Sequence, residues 1–274
     1  MSGLGEARLD PFLLVERDGP VVVARFNRPE ERNTITEVAH SEEIVDFCRQ
    51  MVRDNSVRAI VLTGNGKAFS AGGNVKYMAE RSGMFGGTPY EIRNAYRTSV
   101  QMIGPAIHEL EVPIIAAING PAIGLGLDIS CMCDIRLMAD TAVVAESYVK
   151  LGIIPGGGGG WLLPRLIGPQ RANIMTLTGD AIDAKTALEY GLVAEVLPAD
   201  KLMDRALELA GKIAANPGHA TRMAKRLMRE GADMKLPTLL EMAAGYQSLA
   251  HYTEDHHEAI AAFLGKRAPE FKNK

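Results

Sequence analysis

Two glycine clusters are the first places where this chain could do chemistry. Each lies between an apolar run and a helical pattern. In the first, Arg58 to Thr63 reads as a buried strand and Gly64-Asn65-Gly66 as a turn. Phe69-Ser70-Ala71-Gly72-Gly73-Asn74 then leads into a helix at Val75. In the second, Val112 to Ile118 reads as the strand and Asn119-Gly120-Pro121 as the turn. The residues from Gly124 onward read as a buried helix with its N-terminus at the glycines. A helix start leaves backbone N–H groups unpaired, the helix dipole adds positive charge there, and glycine lets a substrate atom come close. If the two strands are neighbours, the two starts can offer one N–H each to a single oxygen. That is an oxyanion hole, in which each donor contributes on the order of 3 kcal/mol to the reaction barrier. Either cluster alone is more simply a tight turn; it is the repetition that points to a site.

Asp128 is the one ionisable side chain inside the small, apolar helix after the second cluster. Burial raises a carboxyl pKa and suits it to proton transfer near neutrality. The plainer alternative is a cap or a buried partner for an arginine. Other chemistries lack their residues. There is no Gly-x-x-x-x-Gly-Lys-Ser/Thr, and Gly124-Leu125-Gly126 lacks the third glycine of a dinucleotide fingerprint. Ser70 lies in Phe-Ser-Ala-Gly, not in a nucleophile elbow. His256 and His257 are adjacent and cannot share a helical face. Cys131 and Cys133, two apart on a helix, are poor ligands, so no metal is expected.

Around these stretches the chain alternates strands and helices. The first ten residues carry no pattern and read as frayed. Leu13–Val15 and Val21–Phe26 bracket Asp18-Gly19-Pro20 as a hairpin. Thr34 or Thr36 is expected to cap the next helix, which Asp54-Asn55 ends. Ser82 to Pro89 reads as a loop, either plain surface or a mobile cover for a pocket. Tyr90 to Leu110 reads as one long helix. Ile135–Met138 and Val143–Glu146 read as strands; if the second runs extended to Tyr148, Glu146 and Tyr148 share a face. Gly156 to Gly160 must let chains approach closely or cradle a ligand. Helices are expected at Trp161, after Gly168-Pro169 and after Asp183, with a last strand from Leu192 to Leu197. Beyond Asp200 the pattern is helical throughout. Such strand–turn–helix units predict right-handed crossovers with helices packed on sheet.

Composition is consistent with this. Apolar residues make up 47% of 274, enough for a sizeable core. The net charge of −3 gives nucleic acid no attractive surface. Three cysteines form no disulfide framework, which suits a reducing cytoplasm. No signal pattern or membrane-spanning run is evident.

Taken together, Phe26-Asn-Arg-Pro29, Lys67-Ala-Phe-Ser-Ala-Gly-Gly73, Asn119-Gly-Pro-Ala-Ile-Gly-Leu-Gly126, Cys133-Asp-Ile135, Gly152-Ile-Ile-Pro-Gly156, Leu177-Thr-Gly179, Glu254-Asp-His256 and Ala262-Phe-Leu-Gly-Lys-Arg267 resemble the crotonase superfamily of enoyl-CoA hydratases and isomerases over nearly the whole length. The resemblance implies an α/β fold: a crotonase-like spiral of ββα units over residues 1–199, with a C-terminal helical region, 200–274, used to form trimers or hexamers built from two trimers. It implies a coenzyme A thioester as substrate, with no permanently bound cofactor. The oxyanion donors fall on Gly73 and Leu125, where leucine departs from the family's usual glycine without removing the N–H. The two catalytic glutamates of family hydratases fall on Asp128 and Tyr148, so one is shortened and the other is a phenol; Glu146 is a nearby substitute. A packed pocket wall is the alternative for Tyr148. Coenzyme A is expected along Arg28, Glu30, Arg32, Ala71, Gly72 and Asn74, with Phe263 and Lys266 from the C-terminal helix. Three functions follow: hydration of a 2-enoyl-CoA; isomerisation, or hydrolysis of an alicyclic or aromatic acyl-CoA, on the same platform; and a catalytically weak homologue that binds CoA esters. A missing two-glutamate clamp for water weighs against the first.

Overall fold

The computed structural model describes residues 10–274, so the expectation for the chain's first nine residues lies outside the described residues. The hairpin β1 (Leu13–Asp18) and β2 (Val21–Phe26) forms with Asp18 facing Val21 across the turn. Helix α1 (Val38–Arg53) follows, then β3 (Ala59–Gly64) and the short α2 (Val75–Glu80). Neither threonine caps α1: its N-cap is Glu37, without a side-chain bond, and Thr36 Oγ1 instead donates to Thr34 Oγ1 at 3.3 Å.

The single helix expected from Tyr90 to Leu110 is two, α3 (Pro89–Thr98) and α4 (Val100–His108), broken at Ser99 (φ −128°, ψ −99°). Ser99 Oγ donates to the Ala95 carbonyl at 2.5 Å and Thr98 Oγ1 to that of Asn94 at 2.9 Å. Such bonds back to the preceding turn compete with helix continuation. The Ser82–Pro89 stretch contains a 3₁₀ turn at Gly83–Phe85 that buries Met84.

Three consecutive turns of the chain then repeat one plan. Each gives a long strand to one sheet, a pairing with a second sheet (a short strand in two of them, a single bridging residue in the other) and a helix. β4 (Ile114–Ile118) leads to β5 (Ala122–Ile123) and α5 (Leu125–Met132). β6 (Ile135–Ala139) leads to β7 (Val143–Ala145), a 3₁₀ turn at Ser147–Leu151, and α6 (Gly159–Ile167). β3 leads through Ser70, which bridges Ala122 in parallel, to α2. The chain continues through α7 (Pro169–Thr178), β8 (Ala181–Asp183), α8 (Ala184–Glu189) and β9 (Glu195–Leu197). The expected last strand from Leu192 is shortened to β9. The main sheet runs β1-β2-β3-β4-β6-β9, parallel from β2 onward, and the second runs β5-β7-β8. β3 and β4 are buried along their whole length, as central strands covered on both faces must be.

Helix α9 (Leu202–Ala214) lays Leu202, Ala206, Ala210 and Ala214 on this sheet. Their four-residue spacing is one helical face. Helix α10 (Gly218–Glu230) is bound by charge rather than by apolar area. Arg222 donates to the carbonyls of Met51, Val52, Asp54 and Val57, and so closes the C-terminus of α1. Lys225 Nζ lies 2.7 Å from Asp134 Oδ2 and 2.9 Å from the Val112 carbonyl. Asp134 in turn accepts the Ile114 N–H at 2.8 Å, at the start of β4. Helices α11 (Leu236–His251) and α12 (Glu254–Leu264) complete the fold, and α11 buries none of its residues. No helix among the described residues is long and apolar enough to cross a membrane.

The Lys225–Asp134 contact carries a prediction. Only 8% of the lysine side chain is exposed, so removing its partner strands a buried charge and the Ile114 N–H together. Asp134→Ala is expected to cost about 3 kcal/mol of stability. Urea unfolding measures it, and a loss below about 1 kcal/mol would show that the Lys225–Asp134 contact does not hold the helix.

Candidate active site

The two glycine clusters meet. Ser70 N–H donates to the Pro121 carbonyl at 3.2 Å, and Ile123 N–H donates back to the Ser70 carbonyl at 3.0 Å. This pair of bonds sets the loop Ala71–Asn74 against the start of α5. Gly72, with φ +76°, lies at the contact, where a Cβ would come within 2.5 Å of the Ile123 carbonyl oxygen and 3.1 Å of the Leu125 nitrogen. Only glycine satisfies both the backbone angle and the approach. Among the described residues, neither the Gly73 N–H nor the Leu125 N–H has a hydrogen-bond acceptor. Both residues line one cavity of about 30 Å³, with Met84, Phe85, Tyr96 and Tyr148 among its walls. The buried Met84 and its neighbour Phe85 thus cover this cavity, the part expected of their loop if it served as a cover.

Asp128 lies one turn into α5, fully buried. Its Oδ2 accepts the Tyr148 hydroxyl at 2.9 Å. Glu146, also fully buried, comes to the same place. The expectation that Glu146 and Tyr148 share a strand face needs correcting, because β7 ends at Ala145 and the chain turns into the 3₁₀ segment. The two side chains converge on Asp128 through that turn instead. The glycine run makes room for them: a Cβ on Gly159 would collide with Glu146 Oε1 and with Asp128 Oδ1. Asp128 Oδ1 and both Glu146 oxygens have no hydrogen-bond partner of normal geometry.

Two buried carboxyls side by side, with three of their four oxygens unpaired, cannot both ionise. Burial pushes Asp128 up to about 6, opposed by the Tyr148 hydroxyl and by the nearby N–H groups of Gly159 and Gly157. Burial, and then the Asp128 charge, push Glu146 up to about 9. The pair therefore carries one proton at neutral pH, held mainly on Glu146. Burial and the two neighbouring carboxyls raise Tyr148 as well, so it remains a phenol that donates to Asp128. A base and an acid thus stand together behind two free N–H groups.

Gly73, Leu125, Asp128, Glu146 and Tyr148 are therefore gathered at one place. Of the second group, Ala71 N–H donates to the Arg32 carbonyl at 2.9 Å and the Gly72 carbonyl accepts from Ile35 at 2.8 Å, which sets Arg32, Ala71 and Gly72 side by side. Asn74 caps α2 with its side chain. Glu30 and Arg32 are exposed, whereas the Arg28 guanidinium turns to the carbonyls of Asp10, Pro11 and Asn27. Phe263 and Lys266 do not join the cavity: Phe263 is 82% exposed. Tyr96 was missed by sequence reasoning. It lines the cavity from α3, and nothing in its helical pattern marks it.

Comparison with known proteins agrees with this architecture. Residues 16–274 match the family model described as enoyl-CoA hydratase/isomerase. The 2,3-dehydroadipyl-CoA hydratase of Escherichia coli is 32% identical over 262 residues, which span 96% of this chain and 99% of that protein. The 1,2-epoxyphenylacetyl-CoA isomerase of the same species is 31% identical over 264 residues, 96% of this chain and 99% of that protein. The crystal structure of an enoyl-CoA hydratase from Bacillus anthracis superposes with a TM-score of 0.89 at 36% identity, over 96% of this chain and all of that one.

The shared proton makes stability depend on pH. In the folded chain Glu146 holds its proton up to about 9, whereas the unfolded chain releases it near the ordinary value of 4.5. Its contribution is complete below 4.5 and is lost as pH rises towards 9. The slope is at most about 1.4 kcal/mol per pH unit. Glu146→Gln cannot ionise, so its urea stability is expected to fall less than that of the wild type between pH 5 and about 8. Parallel curves for the two proteins would mean that Glu146 is ionised in the fold.

Proposed function

The chain belongs to the enoyl-CoA hydratase/isomerase family, and from that premise we propose that this acyl-CoA-processing enzyme adds water across the double bond of a 2-enoyl-CoA. The observation that carries the reading is the pair of buried carboxyls, one ionised and one protonated, beside two unpaired N–H groups. Hydration needs a base to take a proton from water as its oxygen bonds to C3, and an acid to give a proton to C2. Asp128 is the base. Tyr148, which lines the cavity, gives its hydroxyl proton to C2 and takes one back from Asp128, which has received water's proton. Glu146 keeps the pair's retained proton and holds Asp128 in its ionised state between turnovers. Two groups whose environments push their pKa values apart are suited to these two roles. The Gly73 and Leu125 N–H groups hold the thioester oxygen as it becomes an enolate. Relatives named as hydratases support the reaction.

A second reading has its own support. Tyr148 lines the cavity and bonds Asp128 through its hydroxyl, while Glu146 makes no such bond to the cavity wall. If Asp128 alone reaches substrate, it takes a proton from one carbon and returns it to another, which is isomerisation. One relative is named an isomerase.

The coenzyme A moiety is placed along Glu30, Arg32, Ala71, Gly72 and Asn74, with the Arg28 backbone beside them. Phe263 and Lys266 reach it from a neighbouring copy, in a trimer or a hexamer. What supports such an assembly is the apolar surface of α11 and α12, where Leu240, Leu249, Tyr252 and Phe263 are all exposed. A reducing cytoplasm suits the three free, buried cysteines. The substrate is the only CoA group required, and the proton chemistry needs no resident cofactor.

Four measurements test this. With crotonyl-CoA in water labelled in its oxygen, label is expected in the product; proton exchange without label would favour isomerisation. Asp128→Asn keeps the shape but not the base, and should lower kcat by about 10³-fold or more. The pH profile of kcat/KM should be bell-shaped, rising as the pair loses its first proton near 6 and falling as it loses the second near 9. Gly72→Ala forces a Cβ between the two donor loops and should lower kcat by about 10²–10³-fold with the fold intact. Turnover near the wild-type rate would remove the oxyanion assignment.

A further inference from the structure

The cavity lined by Gly73, Leu125 and Tyr148, with Asp128 and Glu146 buried behind it, is too small for an acyl group of any length. Its volume of about 30 Å³ is room for one water. On the far side of the glycine run lies a second cavity of about 450 Å³, the size of a small-molecule site. Its walls are mainly apolar and include Pro105, Met132, Trp161 and Leu162. Gly156 and Gly157 line both cavities. The partition there is a glycine backbone with no side chain in it. Gln101 holds one end through Nε2 to the Gly156 carbonyl at 3.2 Å, and Gly158 beyond it has φ +120°. Gly104 of α4 faces the partition from the outer cavity, its Cβ position 3.9 Å from the Gly157 carbonyl oxygen.

We propose that the outer cavity is the seat of the distal part of the acyl group, reached when the Gly156–Gly157 segment moves aside. The substrate class is then an acyl-CoA with a long or aromatic apolar tail, rather than a four-carbon or distally charged one. This rests on the acyl-CoA reading above. The geometry supplies the reasons. Two cavities share a wall of two glycines, which put no side chain of their own into either cavity. On the outer side the wall is tied by one hydrogen bond, from the exposed Gln101 to the Gly156 carbonyl; on the inner side the Gly157 N–H lies at Asp128. The outer walls offer apolar surface, and Glu109 at the rim disfavours a tail ending in a carboxylate. Met132, a flexible side chain that also lies against Gly104, can adapt to the occupant.

Binding of saturated, unreactive thioesters tests this without depending on the reaction. By calorimetry the wild type should bind decanoyl-CoA at least about tenfold tighter than butanoyl-CoA, because the longer tail buries more methylenes. Gly104→Leu fills the outer cavity and should bring that ratio close to one. The same ratio in a folded Gly104→Leu protein, or equal binding of both esters by the wild type, overturns the proposal. If Gly104→Leu does not fold, Trp161→Ala decides. It removes a wall residue that is already 43% exposed, and should cut the ratio several-fold; an unchanged ratio overturns the proposal. A chain-length preference that Gly104→Leu abolishes, in an enzyme that turns over no enoyl-CoA, supports the cavity while removing the hydration reading. Turnover of crotonyl-CoA with no effect of either variant on the ratio does the reverse.

Discussion

The reciprocal hydrogen bonds between Ser70 and the Pro121–Ile123 segment are the constraint on which the site depends. They force two helix starts from different turns of the chain into contact. That contact is possible only because Gly72 carries no Cβ. It leaves the Gly73 and Leu125 N–H groups beside each other without acceptors. Unpaired backbone donors at the edge of a core are costly, and a fold that keeps two of them has a use for an oxygen there. The short second sheet exists to hold this geometry: β5 takes Ser70 on one side and β7 on the other.

The same second sheet delivers the acids. β7 ends beside β5, so the residues that follow Ala145 arrive next to α5. Glu146 and Tyr148 then meet Asp128 in a volume closed by the glycine run. Closing it excludes water, and that exclusion sets the protonation. In water both carboxylates would ionise independently; in the dry site one proton stays. The electrostatic character of the site is thus chiefly a result of packing, since the largest cause of the shift for both groups is burial, to which the Asp128 charge adds at Glu146.

The C-terminal half is held differently. α9 is bound by a small-residue stripe. α10 is bound by Arg222 and Lys225, which satisfy the backbone carbonyls at the end of α1 and before β4. The chain's last residues fold back on Asp255, which accepts the N–H groups of Lys272 and Asn273. α11 and α12 keep apolar faces outward, with Tyr252 90% exposed. This is consistent with helices whose main contacts lie outside the single chain.

The sequence alone determined the alternation of strands and helices, the two glycine-flanked helix starts and the lone acid Asp128. Each of these is a local matter: an apolar run, a glycine where a helix begins, one acid among small residues. Local patterning also exposed the family through motifs spread along the whole length. It misjudged the break at Ser99, because side-chain bonds to the preceding turn leave the apolar period unchanged. It missed β5 and β8, two and three residues long, because strands so short have no period to detect. The partnership of Glu146 with Asp128 was beyond it, since an assumed extended chain gave the wrong reason for placing Glu146 near Tyr148. Only the tertiary structure decided which carboxyl keeps the proton. Burial and the distance between two acids are set by chain segments far apart in sequence, and the free energy of ionisation depends on both.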